Sequence, residues 1–137
     1  MRKIEHIGIA VKDLEKANSL YTALLNTEPY KTEKVASEGV STSFFRMGDS
    51  KIELLEATSE DSAIAKFIEK RGEGIHHIAY DVEDIRAEMA RLEGEGFQLL
   101  NTEPKKGADN KLVCFLHPKS SGGVLVELCQ EITSEEN

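Results

Sequence analysis

The chain has 137 residues, of which 39% are hydrophobic and 31% are charged, with ten glycines and three prolines. This balance is typical of a globular domain and excludes collagen-like, low-complexity and wholly disordered chains. The 17 basic and 25 acidic residues leave a net charge of −8. Because the chain has no cluster of Lys and Arg, we expect no nucleic-acid partner. No apolar run approaches the ~20 residues of a membrane-spanning helix, so we expect no membrane partner either.

The amino terminus and the cysteines indicate a compartment. The opening stretch MRKIEHIGIAV carries Glu5 and His6 among its apolar residues and has no cleavage pattern, so it does not predict a signal peptide. Cys114 and Cys129 both fall in strand-like segments, which favours two buried, reduced thiols. We therefore expect a cytoplasmic protein.

The first predicted module spans about residues 3–57. Residues 4–11 are predicted to form a strand, and Asp13 is a good N-cap for a helix that runs to about Asn26. Strands over residues 40–47 and 51–56 are predicted to follow, joined by a turn at Gly48. The apolar residues with helical spacing, predicted to form the buried face of the helix, are Leu14, Ala17, Tyr21, Leu24 and Leu25.

A linker helix over about residues 60–72 is predicted between two halves of one domain, with Gly72 as its C-cap. Its apolar positions are Ile64, Phe67 and Ile68. The second module, about residues 74–130, is predicted to begin with a strand over 76–82. Asp84 then caps a helix that buries Ile85, Met89 and Leu92 and ends near Gly94–Gly96. The remaining predicted segments are strands over about 97–101, 111–116 and 123–129 and a frayed tail over 131–137.

A weak internal repeat relates the two modules. The segment His6–Leu14 aligns with His77–Ile85, and five residues separate Gly48 from Glu53 as they separate Gly122 from Glu127. Each half therefore runs from a His to a Glu, over 47 positions in the first and 50 in the second. The repeat predicts an α+β fold of two βαβββ modules that form a cleft-like, partly closed mixed sheet with helices on the outside.

The alternation of side chains along the strands selects a candidate metal site. His6, Glu53, His77 and Glu127 all fall on the strand face opposite the bulky aliphatic residues. Two sheets that face each other would bring these two imidazoles and two carboxylates together. Such a set suits an octahedral divalent ion with two positions left for water or substrate. Co²⁺, Zn²⁺, Ni²⁺ and Mn²⁺ all accept these ligands, so the identity of the metal stays open.

The chain resembles the vicinal-oxygen-chelate superfamily over about residues 3–130 and, within it, the methylmalonyl-CoA epimerase family. The segments that carry the resemblance are EHIGIAVKDLEKA, KIELLEATSEDSAIAKFIEKRGEGIHHIAYDVEDI and VCFLHPKSSGGVLVELCQ. The resemblance implies that the metal ligands are His6, Glu53, His77 and Glu127, the set that the strand pattern selects independently. It also implies an acyl-CoA substrate and a homodimer.

The implied reaction interconverts the 2R and 2S forms of methylmalonyl-CoA through a metal-stabilised enolate. Inversion requires a base on each face of the enolate, and the resemblance implies that Glu127 is one of them. In some relatives a second Glu lies three residues after the Gly of a GV dipeptide, where this chain has Thr42. Glu38, Glu53 and a water on the metal remain alternatives for the second base.

The loop between the last two predicted strands is a candidate for substrate binding. It accounts for the extra length of the second module. Its charge, hydroxyls and glycine amides suit a substrate carboxylate or the phosphates of CoA. A hairpin turn with a solvated Lys would have the same composition. The candidate residues are Lys119, Ser120 and Ser121.

Two other functions fit the same candidate site. A glyoxalase I-type isomerase (lactoylglutathione lyase), which acts on a glutathione hemithioacetal, also uses a metal with His and Glu ligands. A non-catalytic small-molecule-binding protein of the same fold is the second alternative, although such a protein does not need four intact ligands. An extradiol-type dioxygenase is disfavoured, since it uses two His and one carboxylate.

Overall fold

The computed structural model describes residues 1–133. They form two compact units, which we call the first unit, His6–His76, and the second unit, Met1–Glu5 together with the chain from His77 onward. The helix predicted as a linker belongs to the first unit. The predicted tail begins one residue later than expected because the last strand continues through Glu131. Residues 134–137 of that tail lie outside the described residues.

The first unit carries a mixed sheet and two helices. Its strands have the order β2-β3-β4-β1, with β1 parallel to β4 and the other pairs antiparallel. A 3₁₀ turn, Ala36–Glu38, precedes β3. The elements are β1 Lys3–Ala10, whose first three residues belong to the second unit, α1 Leu14–Leu25, β2 Lys31–Val35, β3 Val40–Met47, β4 Ser50–Ala57 and α2 Ala63–Arg71.

The second unit repeats this plan with one helix. Its strands have the order β5-β8-β7-β6, with β5 parallel to β8. The elements are β5 Gly74–Asp81, whose first three residues belong to the first unit, α3 Ile85–Gly94, β6 Lys105–Lys106, β7 Lys111–Leu116 and β8 Val126–Glu131. The prediction of an α+β fold with two βαβββ modules is confirmed. Within residues 1–133, none of the helices combines the length and apolar character needed to cross a membrane.

Equivalent aspartates begin the first helix of each module, as predicted. The side chain of Asp13 accepts a hydrogen bond from the Lys16 amide at 3.1 Å, and Asp84 accepts one from the Ala87 amide at 3.1 Å. Each carboxylate satisfies one of the amides that the first helical turn leaves without an intrahelical partner. The sequence repeat therefore extends to the local geometry of the chain.

Each of these helices packs its apolar side on one face of its own sheet. In the first unit Leu14 and Ala17 of α1 pack against Phe45 and Leu54. Leu24 was predicted to be buried and is 68% exposed, because Leu25 takes the contact with the core at the end of the helix. The core of the second unit contains Val82, Ile85, Met89, Leu92, Cys114, Leu116 and Leu128.

Four strand predictions differ from the structure. Strands β2 and β6 were not predicted at all. Residues 97–101 form no strand, and Leu99 makes only an isolated bridge to Leu116. The side chain of Asn101 accepts the hydrogen bond of the Phe115 amide, so a regular backbone ladder is interrupted there. Strand β8 begins at 126 rather than 123 because the preceding glycines, Gly122 and Gly123, have positive φ angles of 70° and 92°.

Equivalent residues of the internal repeat are paired in the same way in the sheets of the two units. In the parallel pairs Gly8 lies opposite Glu53 and Ala79 lies opposite Glu127. In the antiparallel pairs the partners of the two glutamates are Phe44 and Phe115. From each His to the corresponding Phe the spacing is 38 positions in both modules. The difference between the modules therefore lies entirely between the Phe and the Glu, as the predicted loop requires.

Candidate metal centre

The first unit contains a buried pair of His6 and Glu53. Nδ1 of His6 lies 3.0 Å from Oε2 of Glu53, and each residue is 4% exposed. Strand β1 places His6 two residues before Gly8, which lies directly opposite Glu53 in the parallel ladder. Since residues i and i+2 share a strand face, both side chains emerge on the same side of the sheet. Gly8 has no side chain to occupy the space between them.

The second unit contains the equivalent pair of His77 and Glu127. Nε2 of His77 lies 3.0 Å from Oε1 of Glu127, and each residue is 6% exposed. Ala79 occupies the position that corresponds to Gly8, and its small side chain leaves room for the side chains of His77 and Glu127. The ring of Phe115 meets the His77 imidazole edge-on, with the centroids 5.9 Å apart. The ring thus restricts the orientation of the imidazole.

The two pairs suit a divalent ion by donor chemistry and by distance. Each pair offers one imidazole nitrogen and one carboxylate oxygen, and all four side chains are buried. Two neighbouring ligands of an octahedral ion, each about 2.1 Å from the metal, have donor atoms about 3.0 Å apart. The distance is 3.0 Å in both pairs. The chain therefore has two preformed pairs of candidate metal ligands, one in each unit.

The two oxygens of Glu127 have different neighbours. Oε1 faces the imidazole of His77, whereas Oε2 accepts a hydrogen bond from the thiol of Cys129 at 3.5 Å. Cys129 is fully buried and lies two residues after Glu127 on the same face of β8. This contact was not anticipated from the sequence, although the i, i+2 spacing in a strand is a signal that indicates it.

The second cysteine is separate from this arrangement. Cys114 points to the opposite face of the sheet, into the core beneath α3. Burial raises the pKa of its thiol above the usual value. Neither cysteine is in a disulfide bond and both are buried, which confirms the prediction of two buried thiols.

Thr42 lies on the same sheet face as Glu53 but cannot act as a base at neutral pH. It lies two residues before Phe44, the antiparallel partner of Glu53. Thr42 is fully buried, and its hydroxyl has no hydrogen-bond partner among the described residues. A buried hydroxyl without a partner costs free energy. Packing alone therefore does not explain why a threonine occupies this position.

Glu33 is a carboxylate that the sequence reasoning missed. It lies directly opposite Thr42 in the β2–β3 ladder, so its side chain is on the same sheet face as Thr42 and Glu53. Its side chain is 37% exposed, and Oε1 lies 3.5 Å from Nζ of Lys31. It was missed because β2 itself was not predicted. Glu38, considered from the sequence, lies outside the sheet in the 3₁₀ turn before Gly39.

The candidate substrate loop is held by its own hydrogen bonds. The hydroxyl of Ser120 donates to the His117 carbonyl at 2.9 Å and accepts from the Gln98 amide at 3.1 Å. The hydroxyl of Ser121 donates to the Val124 carbonyl at 2.6 Å. Both serines therefore shape the loop. Lys119 is exposed within the short 3₁₀ helix Pro118–Ser121.

Comparisons with known proteins find similar sequences over most of the chain. The family model of the Glyoxalase/Bleomycin resistance protein/Dioxygenase superfamily matches residues 5–115, a range that includes three of the four candidate ligands. Over 130 residues the chain is 45% identical to an ethylmalonyl-CoA/methylmalonyl-CoA epimerase of Cereibacter sphaeroides, with 93% of this chain and 97% of that protein covered. Over 129 residues it is 42% identical to the mitochondrial methylmalonyl-CoA epimerase of Homo sapiens, with 93% and 73% covered.

A solved structure shares the fold of the chain over almost its whole length. It is a variant of the Streptomyces coelicolor methylmalonyl-CoA epimerase in complex with 2-nitronate-propionyl-CoA. The two chains have a TM-score of 0.91 and 37% sequence identity, with 97% of this chain and 99% of that chain covered. Taken with the repeated register and the two His–Glu pairs, these matches show that the chain belongs to the glyoxalase/bleomycin resistance protein/dioxygenase superfamily and, within it, is similar to methylmalonyl-CoA epimerases.

Proposed function

We propose that this chain is a metal-dependent epimerase that interconverts the 2R and 2S forms of methylmalonyl-CoA by way of an enolate. The observation that carries the proposal is the buried pair of His77 and Glu127, with 3.0 Å between nitrogen and oxygen. A carboxylate beside a ligating imidazole serves both metal binding and proton transfer. The identity to named epimerases over 93% of this chain supports the choice of substrate.

We propose all four pair residues as ligands of one divalent ion per chain. A divalent ion held by these residues would supply positive charge that stabilises negative charge on the oxygens of the proposed substrate.

Glu127 is the first proposed proton-transfer residue. Oε1 faces His77 and Oε2 accepts the hydrogen bond of the Cys129 thiol, so the carboxylate takes the C2 proton on a lone pair that neither contact uses, and returns it there. Ala79 and Phe115 flank Glu127 on the two neighbouring strands, and Glu127 is almost entirely buried. A base held in this way takes and returns the proton on one face of the enolate.

Glu33 is the candidate for the second proton-transfer residue. Inversion at C2 needs a proton donor on the other face of the enolate, and Thr42 cannot supply one. Glu33 is the cross-strand neighbour of Thr42 on the same sheet face. Its partial exposure lets it exchange protons with solvent, and Lys31 at 3.5 Å balances its charge.

The loop Pro118–Ser121 is the proposed contact with the anionic part of the substrate. Lys119 supplies the positive charge, since its side chain is exposed. The hydroxyls of Ser120 and Ser121 donate within the loop, so they offer the substrate only acceptor lone pairs. In this proposal the two serines hold the shape of the loop and Lys119 binds a carboxylate or a CoA phosphate.

The assembly and compartment remain predictions. A homodimer follows from the family resemblance, and analytical ultracentrifugation tests it. The two buried thiols, neither of which is in a disulfide bond, are compatible with a reducing cytoplasm. We also propose that the whole chain acts as one domain.

The decisive experiment follows deuterium wash-in at C2 of methylmalonyl-CoA in D₂O by NMR. The protein is assayed as purified, after treatment with a chelator, and after addition of Co²⁺ or Mn²⁺. We expect rapid exchange that the chelator stops and that the added metal restores. Metal content is measured in parallel in each sample, so that a lack of activity is not confused with a lack of metal.

Two results would contradict the proposal. If protein that holds one metal ion per chain catalyses no exchange, the alternative is glyoxalase-type isomerisation, which is then assayed with a glutathione hemithioacetal. If the protein holds no ion after dialysis against Co²⁺ and catalyses neither reaction, a non-catalytic binding function is favoured.

A further inference from the structure

The thiol of Cys129 contacts the carboxylate of Glu127. The thiol donates a hydrogen bond to Oε2 of Glu127 at 3.5 Å, a normal distance for a sulfur donor. Cys129 has no exposed surface and Glu127 has 6%. Both side chains leave β8 on the same face. The contact therefore forms inside the protein and within a single strand.

Cys129 lies among apolar side chains and close to the buried carboxylate of Glu5. Ala79, Val113 and Cys129 form a small buried cluster, against which Phe115 packs. Val113 lies directly opposite Cys129 in the β7–β8 ladder. In surroundings of low polarity a hydrogen bond to a carboxylate is stronger than in water. The bond is therefore able to fix the rotation of the carboxylate group of Glu127.

The first unit has no equivalent thiol. By the repeat, the position two residues after Glu53 corresponds to Cys129, and it holds Leu55. Leu55 packs with Ala10, Val40 and Ile64. The βαβββ plan is thus satisfied by an apolar side chain at this position. The thiol distinguishes the glutamate proposed to transfer a proton from the one proposed only to bind metal.

We infer that Cys129 is a positioning residue for Glu127: its thiol holds Oε2, which keeps Oε1 directed toward His77 and the carboxylate in one rotational state. The inference rests on the proposed function only in taking Glu127 as a metal ligand and proton acceptor. Cys129 itself contacts neither metal nor substrate in this inference. Hydrogen-bond partners of metal ligands change metal affinity or activity by about 10-fold to 100-fold when they are removed.

The test compares two substitutions of Cys129 with a matched control. Cys129→Val removes the donor and introduces an apolar side chain somewhat larger than that of Cys, whereas Cys129→Ser keeps a donor. Cys114→Val is the control, since it removes the other buried thiol, on the opposite sheet face. Co²⁺ affinity is measured by competition with a chelator. We expect about a 10-fold loss in Cys129→Val, recovery of most of the affinity in Cys129→Ser and no change in Cys114→Val.

The steady-state constants separate positioning from a general loss of structure. We expect Cys129→Val to lower kcat about 10-fold with KM for the acyl-CoA unchanged, because the thiol does not contact the substrate. Equal losses of Co²⁺ affinity in Cys129→Val and Cys129→Ser would overturn the inference, as would wild-type affinity in Cys129→Val.

A spectroscopic measurement needs neither metal nor substrate. In Cys114→Val protein the only remaining thiol is that of Cys129, since the chain has two cysteines. We expect its S–H stretching band in the infrared to be lowered by the charged acceptor and to rise in Cys114→Val/Glu127→Gln. A band at the frequency of a thiol without a hydrogen bond, unmoved by the second substitution, contradicts the inference. Wild-type protein without C2 exchange would instead contradict the proposed function, while the infrared result still decides the role of Cys129.

Discussion

Phe115 lies directly opposite Glu127 in the antiparallel ladder of β7 and β8. The same relationship joins Phe44 and Glu53 in the first unit. A lysine lies over each ring, Lys31 at 4.9 Å from the centroid of Phe44 and Lys105 at 6.0 Å from that of Phe115. An aromatic ring beside each carboxylate excludes water on that side, and interactions of the carboxylate are stronger where water is excluded. Substitution of either glutamate should therefore have a strong effect on metal binding and proton transfer.

Substitution of either histidine should lower the metal content. We expect His6→Ala and His77→Ala each to bind less than about a tenth of the wild-type Co²⁺ at equal free metal, because each removes one of four ligands. Metal per chain is measured by mass spectrometry after dialysis. His76→Ala is the control, since the ring of His76 packs edge-on against Phe67 at 5.0 Å. Full stoichiometry in both ligand variants would remove the proposed site.

The two glutamates should respond differently to the same substitution. Glu127→Gln removes a proposed base and should slow C2 deuterium exchange of the epimer whose proton faces Glu127 by at least about 100-fold. Glu53→Gln removes only a charge, and an amide oxygen still binds a metal, so we expect Co²⁺ to be retained with measurable exchange. Circular dichroism checks that both variants fold. Equal exchange rates in the two variants would show that Glu127 has no special role in proton transfer.

Glu33→Gln should separate exchange from inversion. With Glu127 intact, one epimer still loses its C2 proton and regains a deuteron on the same face. We therefore expect that epimer to exchange at nearly the wild-type rate, while its conversion to the other epimer falls by about 100-fold. Exchange is followed by NMR and inversion by a chiral separation. Glu38→Gln is the control, and loss of inversion in that variant would shift the assignment to Glu38.

Lys119→Ala should weaken substrate binding more than the chemical step. Loss of one exposed positive charge should raise KM for the acyl-CoA about 5-fold to 10-fold and leave kcat within about 2-fold. The effect should shrink at high ionic strength because the contact is exposed to solvent. Lys70→Ala, in the last turn of α2, is a matched charge control. A fall in kcat with an unchanged KM would contradict the proposed role.

The ion pair of Glu88 and Arg91 should stabilise the fold at neutral pH but not at acidic pH. Hydrogen bonds from the Arg91 guanidinium at 2.7 and 3.3 Å hold the pKa of the Glu88 carboxyl below its usual value of 4.5. A lowered pKa in the folded state contributes stability above the usual pKa, and this contribution is lost as the pH falls through the folded-state pKa.

We therefore expect Arg91→Gln to lower Tm by about 1 to 2 °C at pH 7, with the difference shrinking as the pH falls below 4.5. Tm is measured by circular dichroism across this range. Arg86→Gln serves as the comparison, since Arg86 and Glu103 are 3.8 Å apart and their side chains are 64% and 78% exposed. A difference between Arg91→Gln and wild type that persists at low pH would contradict this account.

The parts of the fold that were predicted are those with strong local signals. The caps at Asp13 and Asp84, the helices that follow them and the strands that carry His6 and Glu53 all have regular periodicity. Strand parity alone placed each His on the same face as its Glu, since one ladder register fixes both side chains. The two pairs were predictable for this reason.

The missed parts depend on contacts outside their own segment. Strand β2 carries four polar residues in five and exists because its backbone pairs with β3 at the edge of the sheet. Residues 97–101 were predicted as a strand, but the side chain of Asn101 replaces the backbone in bonding Phe115. The Cys129–Glu127 contact was missed because the i, i+2 spacing only puts both side chains on one face, whereas the hydrogen bond also depends on a side-chain rotation that no sequence pattern fixes.

The identical spacing from His to Phe in the two modules limits where the chain can accept inserted residues. An insertion inside a paired strand would turn every later side chain of that strand to the opposite face, and a ligand would be lost. The stretch from Phe115 to Glu127, which contains the connection between β7 and β8, is already three residues longer than its counterpart from Phe44 to Glu53. New binding specificity is therefore most easily gained there, by lengthening or recomposing the hairpin that carries Lys119, with both ligand pairs left intact.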